Sequence, residues 1–279
     1  MPTSDSLPPL FVASDIDGTF LDSRERVSPR LRAVVARMLR RGVPLSLATG
    51  RPPRWLYPVL EQIPVRPMCV CANGAIIYDS ATDTIVHTKT LTPQVQRMVV
   101  DIAREALVEH RGVGVAVERA GQSAKDPASE LFVVSPSYDH AWISTEHGTV
   151  DEDIVLSVPC TKLLLRNETL SSAMMFEIVA KHIPTELAHV TYSMSEGLLE
   201  VSAPGVTKRG GVQELAGLVG AGPDDVVCFG DMPNDIEMLQ WAGLGVAMGN
   251  AAAKVKAAAN EVTATNDDDG VAAVLERWF

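Results

Sequence analysis

The sequence is poor in the features that mark several large classes of protein. Its 279 residues hold four cysteines, at 69, 71, 160 and 228, too few for a fold stapled by disulfides. Cys69 and Cys71 stand two apart in the apolar run PMCVCANG, with no second half of a metal site in sight, so buried thiols are expected. The histidines at 87, 110, 140, 147, 182 and 189 show no paired-ligand spacing, which argues against a histidine-bound zinc ion. Positive charge is scarce: 24 Lys and Arg against 35 Asp and Glu leave a net charge of -11. That balance disfavours a broad basic face for nucleic acid or anionic lipid. No stretch approaches the roughly 20 apolar residues of a spanning helix, and the opening MPTSDSLPPL lacks a basic segment followed by a long apolar core. No internal repeat or low-complexity tract is evident. These absences lead us to expect a cytoplasmic enzyme with no nucleic-acid and no membrane partner.

What remains is the composition of a packed globular chain, 46% hydrophobic and 21% charged, long enough for one large domain or two modest ones. Short apolar runs alternate with helical stretches. Leu10 to Ser14 reads as a strand, and Ser28 with Pro29 as the N-cap and first position of a helix to Arg41, stopped by Gly42. VPLSLA at 43 to 48, MCVCA at 68 to 72, VVCF at 226 to 229 and LGVAM at 244 to 248 read as further buried strands. The pattern predicts an α/β fold with a mostly parallel sheet covered on both faces. From about 85 to 193 the texture changes to Val, Thr and Ser alternations such as TIVHTKT, GVGVAVE and LFVVS, with helices at 93 to 109 and 170 to 182. We read this stretch as an inserted, more strand-rich α/β unit, 85–193, between two parts of the sheet domain, 1–84 and 194–279.

In such sheets ligands gather outside the carboxyl ends of the strands. Asp15, Thr49, Asn73, Asp231 and Asn250 all fall at such ends, a register that scattered surface residues have no reason to keep. Five strand ends could converge on one pocket.

Asp15 and Asp17 would oppose each other in a regular strand, but Gly18 and Thr19 can turn the chain and bring both toward that pocket. One carboxylate can attack phosphorus to give an aspartyl-phosphate; another can protonate the leaving oxygen and later activate water. Asp231, in GDMPND, adds a third carboxylate, and a group of acids attracts a hard cation such as Mg²⁺. Pro233 marks a helix start there, which puts Asn234 and Asp235 in a first turn, where an acid alone could be serving the helix dipole. Lys208 follows the N-cap signal Thr207 and opposes the dipole. An isolated lysine in that place is a solvated one; if an anion is held at the helix start, ammonium and backbone amides act on it together. Thr49 and Gly50 offer a hydroxyl and amides to the same anion.

DIDGT at 15 to 19, ATGRP at 48 to 52, Lys208 after LLEVSAPGVT, and GDMPNDIEML at 230 to 239 resemble, in order, the four signature motifs of the haloacid dehalogenase-like phosphatases. CANGA at 71 to 75, VAMGNA at 246 to 251 and NDDDGVA at 266 to 272 narrow the resemblance to the Cof-type branch. The resemblance implies a Rossmann-like core with an inserted α/β cap domain that selects the substrate. It implies a Mg²⁺-dependent hydrolase of small phosphorylated metabolites, sugar phosphates first, acting through an aspartyl-phosphate. Asp15 would be nucleophile and metal ligand, Asp17 the acid and base with its carbonyl on the metal, and Asp231 a further ligand. Asp235 would support the metal or orient Lys208. Thr49, Gly50, Lys208 and Asn234 would hold the phosphoryl group, with Arg51, Asn73 and Gly74 lining the pocket. A phosphomutase of the same superfamily and a non-catalytic phosphometabolite-binding protein are the alternatives. In the insertion, Arg119, Tyr138, His140, Trp142, Lys162 and Tyr192 are the residues able to meet a ligand, although a structural role suits each better. Monomer and homodimer are both compatible with the pattern.

Overall fold

The strands form where β-branched and other apolar residues cluster between glycines, prolines and polar residues. In the computed structural model, which describes residues 7–140 and 145–279, they are, in chain order, β1 Phe11–Ser14, β2 Leu45–Ala48, β3 Met68–Cys71, β4 Ile76–Asp79, β5 Thr84–Thr88, β6 Gly114–Glu118, β7 Phe132–Val134, β8 Gly148–Thr149, β9 Lys162–Arg166, β10 His189–Thr191, β11 Leu198–Ser202, β12 Val226–Gly230, β13 Leu244–Ala247 and β14 Glu261–Val262. They make two sheets, and the chain divides into two compact units, Met1–Thr84 with Thr207–Phe279, and Ile85–Val206.

The sheet of the first unit has the order β14-β13-β12-β1-β2-β3-β4 and is parallel from β14 to β3. Every residue of β1, β2 and β12 is buried, as a parallel sheet covered on both faces requires. Ser28 accepts a hydrogen bond from Leu31 N at 3.0 Å and caps Pro29–Arg40, which buries Leu31, Val34, Val35 and Met38 at helical spacing. Helices Lys208–Leu218 and Ile236–Trp241 bring Val212, Leu215, Met238 and Leu239 onto Ala13, Val70 and Cys228. All four cysteines are buried and free; burial pushes the Cys69 thiol up to about 12, far from any reactive range. The chain runs from β1 outward to β2 and β3 on one side, then returns to build β12, β13 and β14 on the other. The strand order therefore reverses at β1, the place where such sheets open a crevice.

The second unit is a mixed sheet of order β10-β11-β9-β6-β7-β8, antiparallel apart from the β7 and β8 pair. Pro93–Ala106, capped by Thr92, and Ser172–Val179, capped by Ser171, set Val99, Val100, Met175 and Val179 against one face. The other face holds a smaller apolar group around Phe132 and the buried ion pair of Lys162 with Glu200, 2.7 Å apart. Tyr138 and His140 pack edge-on around Phe132, and Tyr192 against Phe176; Trp142 lies outside the described residues. The reading from sequence closes the insertion at 193, but Leu198–Ser202 pairs with β9 and β10, so the second unit runs on to Val206. LLEVS is buried at every position, which a strand inside a covered sheet needs and a connecting loop does not. Among the described residues, no helix is long and apolar enough to cross a membrane.

Candidate active site

Because β13, β12, β1, β2 and β3 are parallel neighbours, their carboxyl ends share one edge of the sheet. Asp15, Thr49 and Asp231 directly follow β1, β2 and β12, with Asn73 and Asn250 just beyond β3 and β13.

Asp15 still takes part in the sheet, its N–H donating to Phe229 O at 3.0 Å, while its side chain is buried at the sheet edge. The chain then makes one wide turn over Ile16–Phe20, closed by Leu21 N–H donating to Ile16 O. Gly18 makes the turn with φ +73°, and a Cβ there would overlap the Asp231 carboxylate. The sequence reading has this turn carry both acids toward one pocket; in the structure Asp15 is buried and Asp17 lies nearer solvent. Asp17 stays half-exposed and grips Arg51 bidentately, Nε to Oδ2 at 2.9 Å and Nη2 to Oδ1.

Lys208 is buried rather than solvated. Thr207 accepts from Gly210 N at 3.1 Å and starts the helix, and Lys208 Nζ donates to Asp15 Oδ1 at 2.6 Å and Asp235 Oδ1 at 2.7 Å. The close approach of this helix depends on Gly74, at φ +100°, where any Cβ would meet Thr207 O. Asp235, in the turn Pro233–Asp235, has both oxygens engaged: Oδ2 accepts from Asp231 N at 3.0 Å and Met232 N at 2.9 Å. Its carboxylate thus fixes Asp231 and Lys208 together rather than serving a helix dipole alone. Asp231 itself accepts from Thr19 Oγ1 at 3.0 Å and, more weakly, from Asn250 Nδ2 at 3.4 Å.

The remaining candidates form the flank of this cluster. Thr49 is buried, with Oγ1 accepting from Arg51 N at 3.0 Å; Gly50 beside it is half-buried. Asn73 N donates to Thr49 O at 2.9 Å, joining the β2 and β3 ends. Asn234 Nδ2 reaches Asn73 Oδ1 at 3.1 Å, while Asn234 Oδ1 is buried without a partner. Thr19 and Asn250 are absent from the site residues read from sequence. Asn250 was marked only as a strand end, and Thr19, one residue past Gly18, carried no separate signal.

Asp15, Asp231 and Asp235 each offer an oxygen within 4.8 Å of the others. Burial raises Asp15 well above the ordinary carboxylate range; Lys208 opposes the rise, and the charges of Asp235 and Asp231 add to it. Burial, then the charge of Asp235, raises Asp231 to about 6. Burial alone would lower Lys208, but Asp15 and Asp235 hold its pKa above the ordinary lysine value. Three crowded carboxylates against one ammonium make an oxygen-donor set short of positive charge, which fits a hard divalent cation.

A family model described as haloacid dehalogenase-like hydrolase matches residues 12–275. The chain is 27% identical over 272 residues to 5-amino-6-(5-phospho-D-ribitylamino)uracil phosphatase YitU of Bacillus subtilis, covering 97% of this chain and 98% of that protein. It is 27% identical over 267 residues to pyridoxal phosphate phosphatase YbhA of Escherichia coli, with 94% and 95% covered. Among solved structures, the subclass IIB sugar phosphatase BT4131 matches with a TM-score of 0.75 at 23% identity, covering 95% of this chain and 97% of that one.

Proposed function

The chain belongs to the haloacid dehalogenase-like hydrolases, as a Cof-type phosphatase with a cap built on the second sheet, and from that premise we propose that Asp15 is the nucleophile of a two-step phosphomonoester hydrolysis. Asp15 attacks phosphorus as the ester oxygen leaves, and Asp17 gives that oxygen a proton. Asp17 then takes a proton from the water that opens the aspartyl-phosphate. A neutral carboxyl has no charge to offer a guanidinium, so Asp17 gives up its grip on Arg51 before it donates. Lys208, Thr49, the Gly50 amide and Asn234 hold the phosphoryl oxygens, Lys208 turning from Asp15 toward the charge that develops on them. Asp15, Asp231 and the Asp17 carbonyl, with Asp235 fixing the acids, would hold Mg²⁺, which would supply the positive charge that lets a carboxylate approach a phosphate.

The observation that carries this reading is the buried Lys208 shared by Asp15 and Asp235 at the point where the strand order reverses. A core lysine among acids is hard to explain by stability, since a buried ion pair returns little over its desolvation. We place the substrate among small phosphorylated metabolites and favour sugar phosphates, for which the ribityl phosphate named for YitU is support. Arg51, Asn73 and Gly74 shape the phosphate end of the pocket, and residues 85–206 select the leaving group. Phosphate release from a panel of small phosphomonoesters, with and without Mg²⁺, tests the proposal. Turnover should require the cation and vanish in Asp15→Asn; a fully active Asp15→Asn protein would overturn it.

A further inference from the structure

The second unit contains a cavity of about 630 Å³, within the range of small-molecule sites. Its wall includes Arg119, Leu131, Val133, Val150 and Ile154, and none of the lining residues belongs to the catalytic set. We propose that this cavity binds a small oxyanion, a carboxylate or a phosphate carried on an apolar body, with Arg119 as its receptor.

The argument begins with strand alternation. Arg119 follows β6 on the face of Val115 and Val117, the side that helices cover, opposite Glu118. Its backbone N–H completes the pairing to Leu131 O at 2.9 Å, so the side chain is held at a fixed point of the wall. The guanidinium, however, is poorly served. Nη1 and Nη2 reach only the carbonyls of Glu130 and Ile154, at 3.4 and 3.5 Å, and Nε is buried with no acceptor. Such lengths make weak hydrogen bonds at best. No carboxylate pairs with Arg119 among the described residues. Asp126, which also lines the cavity, is occupied by Gln122 N at 2.6 Å and Ser123 N at 3.2 Å, while Glu130 is exposed. Arg166, whose Nε is likewise buried and unpartnered, instead binds the carbonyls of Asn167, Glu196 and Gly197 and the Asp139 carboxylate. Arg119 alone of the two combines an unsatisfied guanidinium with an open volume beside it. A planar fork of donors matches carboxylate or phosphate oxygens, and the aliphatic wall suits the rest of the ligand.

The test titrates full-length protein with benzoate, phenyl phosphate and inorganic phosphate, and with benzamide as the uncharged control, while following the amide NMR signals of Gly121 and Gly148. We expect saturable shifts for benzoate or phenyl phosphate with Kd near or below about 1 mM, none for benzamide, and at least about tenfold weaker binding in Arg119→Gln. Response to benzoate alone names a carboxylate ligand, response to both phosphates a phosphate one. The phosphate shifts should persist when Thr49→Val and Asn234→Ala are combined, which removes two of the groups proposed to hold phosphate at the catalytic site and so separates this cavity from it. Absence of saturable shifts, equal response to benzamide, loss in the Thr49→Val and Asn234→Ala protein, or unchanged affinity in Arg119→Gln would each overturn the proposal. Should Arg119→Gln fail to fold, Val150→Trp narrows the cavity from another wall and must weaken the same shifts; unchanged affinity refutes the site.

Discussion

The Lys208 ammonium lies 2.6 Å from the Asp15 carboxylate, with 2% of one side chain and 6% of the other exposed to water. Neither charge has solvent to fall back on. Lys208→Met should therefore destabilise the protein by about 3 kcal/mol or more, because it strands Asp15 and Asp235 without their cation. Urea unfolding measures the loss. Adding Asp15→Asn to Lys208→Met should recover part of it, and strictly additive effects would show that the pair is not coupled.

Asp231 gives the site a pH dependence whose direction can be worked out. Its folded pKa is raised to about 6, whereas an unfolded aspartate titrates near about 3.9. Between those values the metal-free folded protein keeps a proton that the unfolded chain has released. The stability this proton contributes is complete below about pH 4 and is lost as pH rises through 6, a change of about 3 kcal/mol. In chelator, Asp231→Asn should gain that much on the wild type between pH 4 and 8. Saturating Mg²⁺ should narrow the gap by stabilising the wild type, and a gap independent of pH would refute the shifted titration.

Thr19→Val keeps the volume of the side chain and removes the donor that holds Asp231 Oδ1 at 3.0 Å. Half-saturation by Mg²⁺ should rise by at least about tenfold, as for other groups that orient metal ligands. The rate at saturating Mg²⁺ should change much less. An unaltered Mg²⁺ titration would remove Thr19 from the site.

Gly18→Ala places a Cβ on the Asp231 carboxylate and strains a backbone at φ +73°. We expect a stability loss of about 1 kcal/mol or more together with weakened Mg²⁺ activation. A loss of stability alone would assign Gly18 to the turn and not to the acid beside it.

The sequence was most readable where backbone topology decides the outcome. Parallel neighbours must end on one edge, so the polar residues after β1, β2 and β12 could be gathered from their positions alone, and the signature motifs added a chemical role to each. Side-chain reach was not readable in the same way. The grip of Arg51 on Asp17 joins a long flexible side chain to a turn whose direction depends on Gly18, and spacing contains neither. Thr19 matters only because β12 lies beside β1, a contact across 212 residues. The end of the insertion is hard to read for a related reason. LLEVS runs straight into the lysine motif, and only its pairing with β9 and β10 assigns it to the second sheet.

Asp15 and Lys208 are separated by 193 residues, and β1 receives one of its two neighbours, β12, later still. As the chain leaves the ribosome, β1 can pair with β2 early, but its other edge stays open while the whole of Ile85–Val206 is synthesised. During that interval Asp15 lacks the Lys208 ammonium, and an apolar strand edge stands ready to pair with the wrong chain. The candidate site is thus among the last parts of the protein that synthesis can complete, since Lys208, Asp231 and Asp235 all follow the second unit in the chain.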